Sequence, residues 1–214
     1  MLDLDQLLDV AERLAAEFGP HAVTIRALSE ATSISNGAIY HAFGSRGGLL
    51  GQVWLRAGKR FLSAQRAAVA RALTNNTSHA SAVEAVVAAA DCPATFFRQH
   101  PASARFLLSV RRDELLALGD VPAELAEDLR QLDKDLGRLL IELADNLWGR
   151  RDRHAVTAIR DCVVELPTAL LLRGRRSPDA AARERLAAAV RAVLALTPPT
   201  STAASTKSKP KDYA

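Results

Sequence analysis

Residues 24–50, which read TIRALSEATSISNGAIYHAFGSRGGLL, decide the fold of this chain. Thr24 is placed to cap a short helix that contains Leu28, because a threonine hydroxyl can accept a backbone N–H of the first helical turn. After a tight turn, Ser35 is placed to cap a second short helix, which ends at Gly44. Two short helices joined by such a turn indicate a helix-turn-helix unit.

The side chains of this unit predict an apolar inner face and a polar outer face. A preceding helix over residues 4–18 has apolar side chains at helical spacing and ends at Gly19-Pro20. The inner residues expected to pack against it are Leu28, Ala31, Ile34, Ile39 and Phe43. The outer residues, expected to face the major groove of DNA, are Ser35, Asn36, Gly37, Ala38, Tyr40 and His41.

The rest of the chain reads with helical period, and no stretch alternates as a half-buried strand does. We therefore predict an all-α protein of about nine helices. The expected domains are a helix-turn-helix domain over 1–46, a helical effector-binding and dimerisation domain over 47–196, and a disordered tail over 197–214. The further helices are expected near 46–73, 80–99, 101–118, 122–149, 152–173 and 178–196.

Charge and composition narrow the class of protein. The net charge is +4, and five basic side chains against one acidic in residues 21–60 follow five acidic against one basic in residues 1–20. A basic segment beside the helix-turn-helix favours an anionic partner. No apolar run is long enough to predict a membrane span, and the acidic N-terminus does not look like a secretory signal. We expect a cytoplasmic protein that binds no membrane.

Motifs for metal, cofactor or catalytic chemistry are missing from the sequence. Cys92 and Cys162 are far apart, so two buried thiols are expected, with a redox-sensing pair as the alternative. The five histidines are scattered, and there is no phosphate-binding glycine loop or nucleophile motif. The sequence predicts no enzyme, no metal and no cofactor.

Residues 7–55 resemble the DNA-binding domain of the TetR (tetracycline repressor) family of bacterial one-component regulators. The similarity lies in the segments TIRAL (24–28), SNGAIYHAF (35–43) and SRGGLL (45–50). The resemblance implies that Tyr40 meets a DNA phosphate, that His41 is a second contact, and that Thr24 and Arg26 contact phosphate or base. It also implies that Arg46 replaces a lysine which grips phosphate.

The sequence departs from the family pattern at three places. Asn36 stands where a basic residue is common, and Ala42 where an aromatic residue or histidine is usual. Gly47-Gly48 replaces a charged, helix-favouring pair, which predicts a weaker and looser first turn of the fourth helix. Simpler interpretations also stay open: Tyr40 packing on the first helix, and Arg26 or His41 as ordinary surface residues.

The resemblance further implies a homodimer that binds a double-stranded palindromic operator and is released by a small-molecule effector. The predicted dimer residues are Ile159, Val163, Leu166, Leu170, Leu186, Val190 and Val193. A mainly hydrophobic effector is expected among the fourth to seventh helices, near Phe61, Phe96, Phe97, Phe106, Leu107 and Trp148. Plain core packing is the alternative for each of these residues.

Two alternatives concern the function as a whole. The first is a helix-turn-helix protein with an architectural or protein-binding role and no ligand, and the second is an activator rather than a repressor. Glu84 and Asp91 share one helix face, where they could meet a cationic ligand, although pairing with arginines or a solvated face is the simpler expectation.

Overall fold

The computed structural model describes residues 3–73, 78–117, 119–172, 178–196 and 198, and this part of the chain is all-helical. The predicted fold class is confirmed, with ten α-helices where about nine were expected. Their bounds are α1 Leu4–Phe18, α2 Ile25–Thr32, α3 Asn36–Phe43, α4 Arg46–Leu73, α5 His79–Gln99, α6 Pro101–Ser109, α7 Arg112–Ala117, α8 Ala123–Trp148, α9 Arg153–Arg160 and α10 Ala180–Leu194. The tail predicted for 197–214 lies outside the described residues, apart from residue 198.

Helices α1 to α3 form a small domain whose helix starts are all capped. Asp3, Thr24 and Ser35 each accept a backbone N–H from the first turn of the helix that follows. Ser29 Oγ donates to the carbonyl of Ile34 at 2.6 Å, which ties α2 to the turn before α3. Leu28, Ile39 and Phe43 are buried, as the helical spacing predicts, and Ile34 is partly buried. The prediction is wrong for Ala31, which is exposed near the end of α2.

The larger part of the chain is a bundle in which α4 packs along α5 and α8. Pro93 lies inside α5 and has no N–H, so the carbonyl of Ala89 loses its partner within the helix. The side-chain Nε2 of Gln65, on α4, donates to that carbonyl at 3.0 Å. The buried side-chain amide of Gln65 thus replaces the hydrogen bond that Pro93 cannot donate.

The helix predicted for 101–118 is divided in two. Val110, between α6 and α7, has an extended backbone with φ −119° and ψ 114°. Its carbonyl turns out of the helix and accepts Nε1 of Trp54 on α4 at 3.0 Å. The partly buried indole N–H gains its hydrogen-bond partner in this way, so a tertiary bond accompanies the break at a place where the sequence shows no breaker.

The helix predicted for 152–173 is α-helical only at its start. After α9 the backbone forms π-helical turns over Asp161–Glu165 and Thr168–Leu172, on either side of Pro167. The N–H of Leu166 donates to the carbonyl of Asp161, five residues back. Each such turn holds one more residue than an α-turn.

Two further observations follow from burial. Both cysteines are buried and unpaired, and burial raises the pKa of each thiol to about 12, so both are protonated at neutral pH. Helix α5 is long and apolar enough by composition to cross a membrane. It packs instead against α4 and α10, and Glu84 and Asp91 form ion pairs with Arg191 and Arg183 of α10. The expected pairing with arginines is confirmed.

Candidate nucleic-acid interface and effector site

The outer face of α3 is open to solvent and has few partners of its own. Tyr40 is 60% exposed, and Asn36, Gly37 and His41 are exposed beside it. A Cβ added at Gly37 would have no neighbour within 4 Å. The side chains of Tyr40 and His41 bond to no residue in the described ranges. The polar side chains of this helix face are therefore free to bond to another molecule. A single α-helix with such side chains fits the major groove of DNA.

Thr24 and Ser35, two of the predicted DNA contacts, use their hydroxyl oxygens to cap α2 and α3. Thr24 Oγ1 accepts the N–H of Ala27 at 3.0 Å, and Ser35 Oγ accepts the N–H of Ala38 at 3.3 Å. A hydroxyl that accepts one bond keeps its own O–H to donate. Both residues can thus hold the helix start and still contact a phosphate.

The two predicted arginine contacts have partners inside the protein. Arg26 pairs with Glu30 at 2.8 Å across an exposed turn of α2. Arg46 donates to the carbonyls of Val23 at 3.0 Å and Pro20 at 2.9 Å. Arg46 therefore braces the loop before α2, a role that its position in the family pattern does not suggest.

The first turn of α4 is tightly packed, so the looser joint expected from Gly47-Gly48 is wrong. The N–H of Gly47 donates to a carboxylate oxygen of Asp120 at 2.9 Å, and Ser45 Oγ donates to the Asp120 carbonyl at 2.5 Å. A Cβ on Gly47 would collide with the Asp120 carboxylate, and a Cβ on Gly48 with the carbonyl of Phe43. The two glycines permit close approach between α3, α4 and the loop before α8.

An apolar cavity lies between α4, α5 and α6. Its inner lobe has a volume of about 140 Å³, and the residues around it are Phe61, Pro93, Phe96, Phe97, Ala104, Leu107, Leu108 and Leu172. Phe61 and Phe96 meet edge to face with ring centroids 5.3 Å apart. Four of the six predicted effector residues line this lobe. Phe106 is instead fully buried in the main core, and Trp148 packs against that core.

A second lobe of about 210 Å³ adjoins the first across Phe61 and Leu107. Trp54, Gly58, Leu132 and Leu136 contribute its apolar wall. Its only charged neighbours in the described ranges are Arg112 and Asp133, whose side chains pair at 2.7 Å. The side chains that line the two lobes are thus apolar, except for Arg112 and Asp133, whose opposite charges are paired.

Comparison with known protein families finds a match for the helix-turn-helix segment. Residues 7–53 match the profile of the bacterial regulatory proteins of the tetR family. The N-terminal domain belongs to the tetR family. The match covers most of α1, all of α2 and α3, and the start of α4, which is the segment that carries the exposed polar face of α3. A comparison with curated proteins finds no match.

Solved structures share the architecture of most of the chain. The TetR-family regulator PfmR from Thermus thermophilus is 20% identical with a TM-score of 0.62, covering 89% of this chain and 98% of its own. The ketosteroid regulator KstR2 of Mycobacterium tuberculosis is 17% identical with a TM-score of 0.58, covering 89% and 92%. The superantigen PfiT, at 20% identity and a TM-score of 0.62, covers 87% and 93%. These likenesses show the fold of TetR-family transcriptional regulators, and a fold alone does not determine function.

The residues predicted to form a TetR-like dimer interface divide into two groups. Ile159, Val163, Leu186 and Val190 are at most 3% exposed inside the protomer, so they offer no surface to a second copy. The partly or fully exposed residues are Leu166, Leu170 and Val193. The exposed apolar surface also includes Leu196, which is 71% exposed.

A buried carboxylate joins the tetR-family domain to the bundle. Glu12 of α1 is 4% exposed and accepts Oγ of Ser103, on α6, at 2.6 Å. Arg56 of α4 donates to Glu12 at 2.9 Å, and Arg56 also pairs with Asp9 at 2.8 Å. We call Glu12, Arg56 and Ser103 the junction. Sequence reasoning missed it, although Asp5, Asp9 and Glu12 share a face of α1 at helical spacing.

Proposed function

We propose that this chain is a homodimeric, sequence-specific transcriptional regulator of bacterial DNA, and that it is a repressor released from a palindromic operator by an apolar small molecule. The exposed polar face of α3, on a domain of the tetR family, is the observation that carries the proposal. Binding to chromosomal DNA implies a cytoplasmic location. Repression by blocking a promoter needs no further surface.

The dimer is proposed from the demands of the operator and the surface at the end of the bundle. A palindrome is read by two recognition helices about 34 Å apart, or a multiple of that spacing. Leu166, Leu170, Val193 and Leu196 leave an apolar surface on the segments at and after α9. A two-fold interface formed there would give the dimer two copies of α3, one for each half-site.

Release is proposed to act through α6. Ala104, Leu107 and Leu108 of α6 line the inner lobe, and Ser103 of the same helix bonds to Glu12 of α1. A ligand that displaces α6 would therefore also move α1, which is the first helix of the tetR-family domain. The effector shifts the equilibrium only by its difference in affinity for the DNA-binding and released states.

The first experiment measures DNA binding by fluorescence anisotropy at several salt concentrations, with the intergenic DNA beside the gene as the probe. Tyr40→Phe removes one hydroxyl from the reading face, so we expect about fivefold weaker binding, the size of one hydrogen bond. His41→Ala is expected to weaken binding similarly. Ile141→Ala is the matched control, because Ile141 is an exposed side chain on α8, outside the α3 face.

The outcomes separate the proposals. Saturable binding that falls steeply with salt, weakened by both α3 substitutions and unchanged by the control, supports the reading face. Binding that is unaffected by Tyr40→Phe and His41→Ala overturns it. Operator binding that no apolar compound weakens would favour an architectural regulator without a ligand.

A further inference from the structure

The two apolar lobes share part of their walls. Phe61 of α4 and Leu107 of α6 line both the inner lobe of about 140 Å³ and the second lobe of about 210 Å³. The lobes therefore meet at these two side chains, which we call the waist. Phe96 meets the ring of Phe61 edge to face, with centroids 5.3 Å apart, and so supports it from one side. The cavity is thus two lobes with a constriction between them.

The two lobes differ in polarity. The side chains around the inner lobe are all apolar. The second lobe is lined by an ion pair, Arg112 with Asp133 at 2.7 Å, whose side chains are 25% and 55% exposed. A polar group in the inner lobe would lose its hydrogen bonds to water and find no polar side chain in exchange, which is costly. At the second lobe it would meet the ion pair or the water around it. A ligand that enters both lobes therefore has its apolar end in the inner lobe.

The size of each lobe limits the shape of such a ligand. An apolar cavity of roughly 150 Å³ binds benzene, so the inner lobe takes about six carbons and the second lobe about eight. A larger ligand has to extend through the waist. A single chain of methylenes is narrow and flexible enough to pass between two side chains, whereas a rigid cage of fused rings is not.

The charges beside the second lobe favour an uncharged polar end. Arg112 bonds to Asp113 at 3.2 Å as well as to Asp133, so two carboxylates flank one guanidinium. The carboxylates would repel an anionic group, and the guanidinium would repel a cationic one. A hydroxyl can donate to a carboxylate or accept from a guanidinium without adding charge.

We propose that the effector is an uncharged amphiphile with a single hydrocarbon chain, whose tail passes the waist into the inner lobe and whose polar head lies beside Arg112 and Asp133. The inference rests on the proposed function for the ligand's role as effector. Each methylene that is buried in an apolar site strengthens binding about fourfold. Affinity therefore rises with chain length until both lobes are full.

The test measures the binding of alcohols to the full chain by isothermal titration calorimetry. Hexan-1-ol fits within one lobe, and decan-1-ol overfills either lobe alone. We expect decanol to bind roughly two-hundredfold more tightly than hexanol, because it has four more methylenes to bury. The rigid alcohol 1-adamantanol, also with ten carbons, is expected to bind at least about tenfold more weakly than decanol, and so are the charged decanoate and decylammonium ions.

A filled inner lobe is the decisive variant. Ala104 lines the inner lobe and not the second, so Ala104→Leu places three further carbons where the tail would lie. Decanol is expected to fall to within about tenfold of hexanol, whereas hexanol, held in the second lobe, keeps its affinity. Ala67→Leu, the same change at an exposed position of α4 outside both lobes, is the control. The unchanged hexanol affinity and thermal unfolding show that the variant is folded.

The fluorescence of Trp54 tests the position of the head. Trp54 lines the second lobe, and Trp148→Phe leaves it as the only tryptophan of the chain. Both hexanol and decanol are expected to change its emission. Hexanol that binds without such a change, or that loses affinity in Ala104→Leu, would place short chains in the inner lobe and overturn the proposed orientation.

Three other results would overturn the ligand class. They are a preference for decanol over hexanol below about tenfold in the wild-type protein, adamantanol or a charged decyl compound that binds as tightly as decanol, and a decanol affinity that survives Ala104→Leu. Operator binding is measured separately, with and without decanol, which is expected to weaken it. If operator binding is intact while the chain-length preference is missing, this inference alone fails. If the preference is present while operator binding is missing or indifferent to decanol, the proposed function fails and the ligand class stands.

Discussion

Two sets of arginine–carboxylate pairs connect the helices of this protein, and they differ most clearly in burial. Between α5 and α10, Arg183 clasps Asp91 at 2.6 Å, but the two side chains keep 35% and 27% of their surface exposed. At the junction, Arg56 meets Glu12 at 2.9 Å with 13% and 5% exposed. Water can replace a lost partner in the first set and not in the second. The junction should therefore be far more sensitive to substitution.

The largest effect is expected for Glu12→Ala. This change strands the Ser103 hydroxyl and removes the innermost partner of Arg56, so we expect about 3 kcal/mol of destabilisation. Urea unfolding followed by circular dichroism measures it. Glu12→Gln keeps an acceptor for Ser103 and is the milder control. A loss for Glu12→Ala no greater than that for Asp91→Ala would show that burial does not separate the two sets.

Ser103→Ala should have an intermediate effect. It removes one hydrogen bond to a charged acceptor that keeps its arginine partner, so we expect about 2 kcal/mol of destabilisation. If α6 carries the effector signal, the variant should also weaken the coupling between ligand and operator. Operator affinity is measured by anisotropy with and without an apolar compound that binds the protein, and Ser109→Ala at the other end of α6 is the control. A ratio of the two affinities equal to wild type would exclude Ser103 from the coupling.

The smallest effect is expected for the surface pairs. Asp91→Ala and Glu84→Ala each break one clasp between α5 and α10, and exposed pairs contribute less than about 1 kcal/mol. Their contribution should shrink further at high salt, whereas that of Glu12 should persist because buried charges are poorly screened. Denaturant unfolding at two salt concentrations tests this. If the destabilisation caused by Glu12→Ala also fell at high salt, the contrast between a buried junction and exposed pairs would be wrong.

Local signals in the sequence predict most features of the helix-turn-helix domain. The caps at Thr24 and Ser35 and the helix end at Gly44 are short-range features, and the structure has each of them. Of the predicted inner residues, Leu28, Ile39 and Phe43 are buried, Ile34 is partly buried and Ala31 is exposed. Hydrophobic spacing likewise predicts where most of the long helices lie. The DNA contacts themselves stay predictions.

Features that depend on distant residues escape such reasoning. The break at Val110 follows from an indole 56 positions away, and the junction joins residues 91 positions apart. The glycines of α4 read as weak helix formers until Asp120 is found against them. Apolar spacing also does not distinguish a dimer face from the core of a protomer. Ile159 and Val190 are predicted at the dimer interface from such spacing, and both are fully buried inside the protomer.

The π-helical turns around Pro167 have a consequence for how this cavity changes in evolution. Each turn accommodates one residue more than an α-turn, as a single insertion into an ancestral helix would. Deleting one residue from 161–165 would turn this π-turn into an α-turn and leave the residues downstream on the faces that they now occupy. Leu172 would keep its place in the wall of the inner lobe. This side of the cavity can thus lose one residue of chain without a change in α4, α5 or α6.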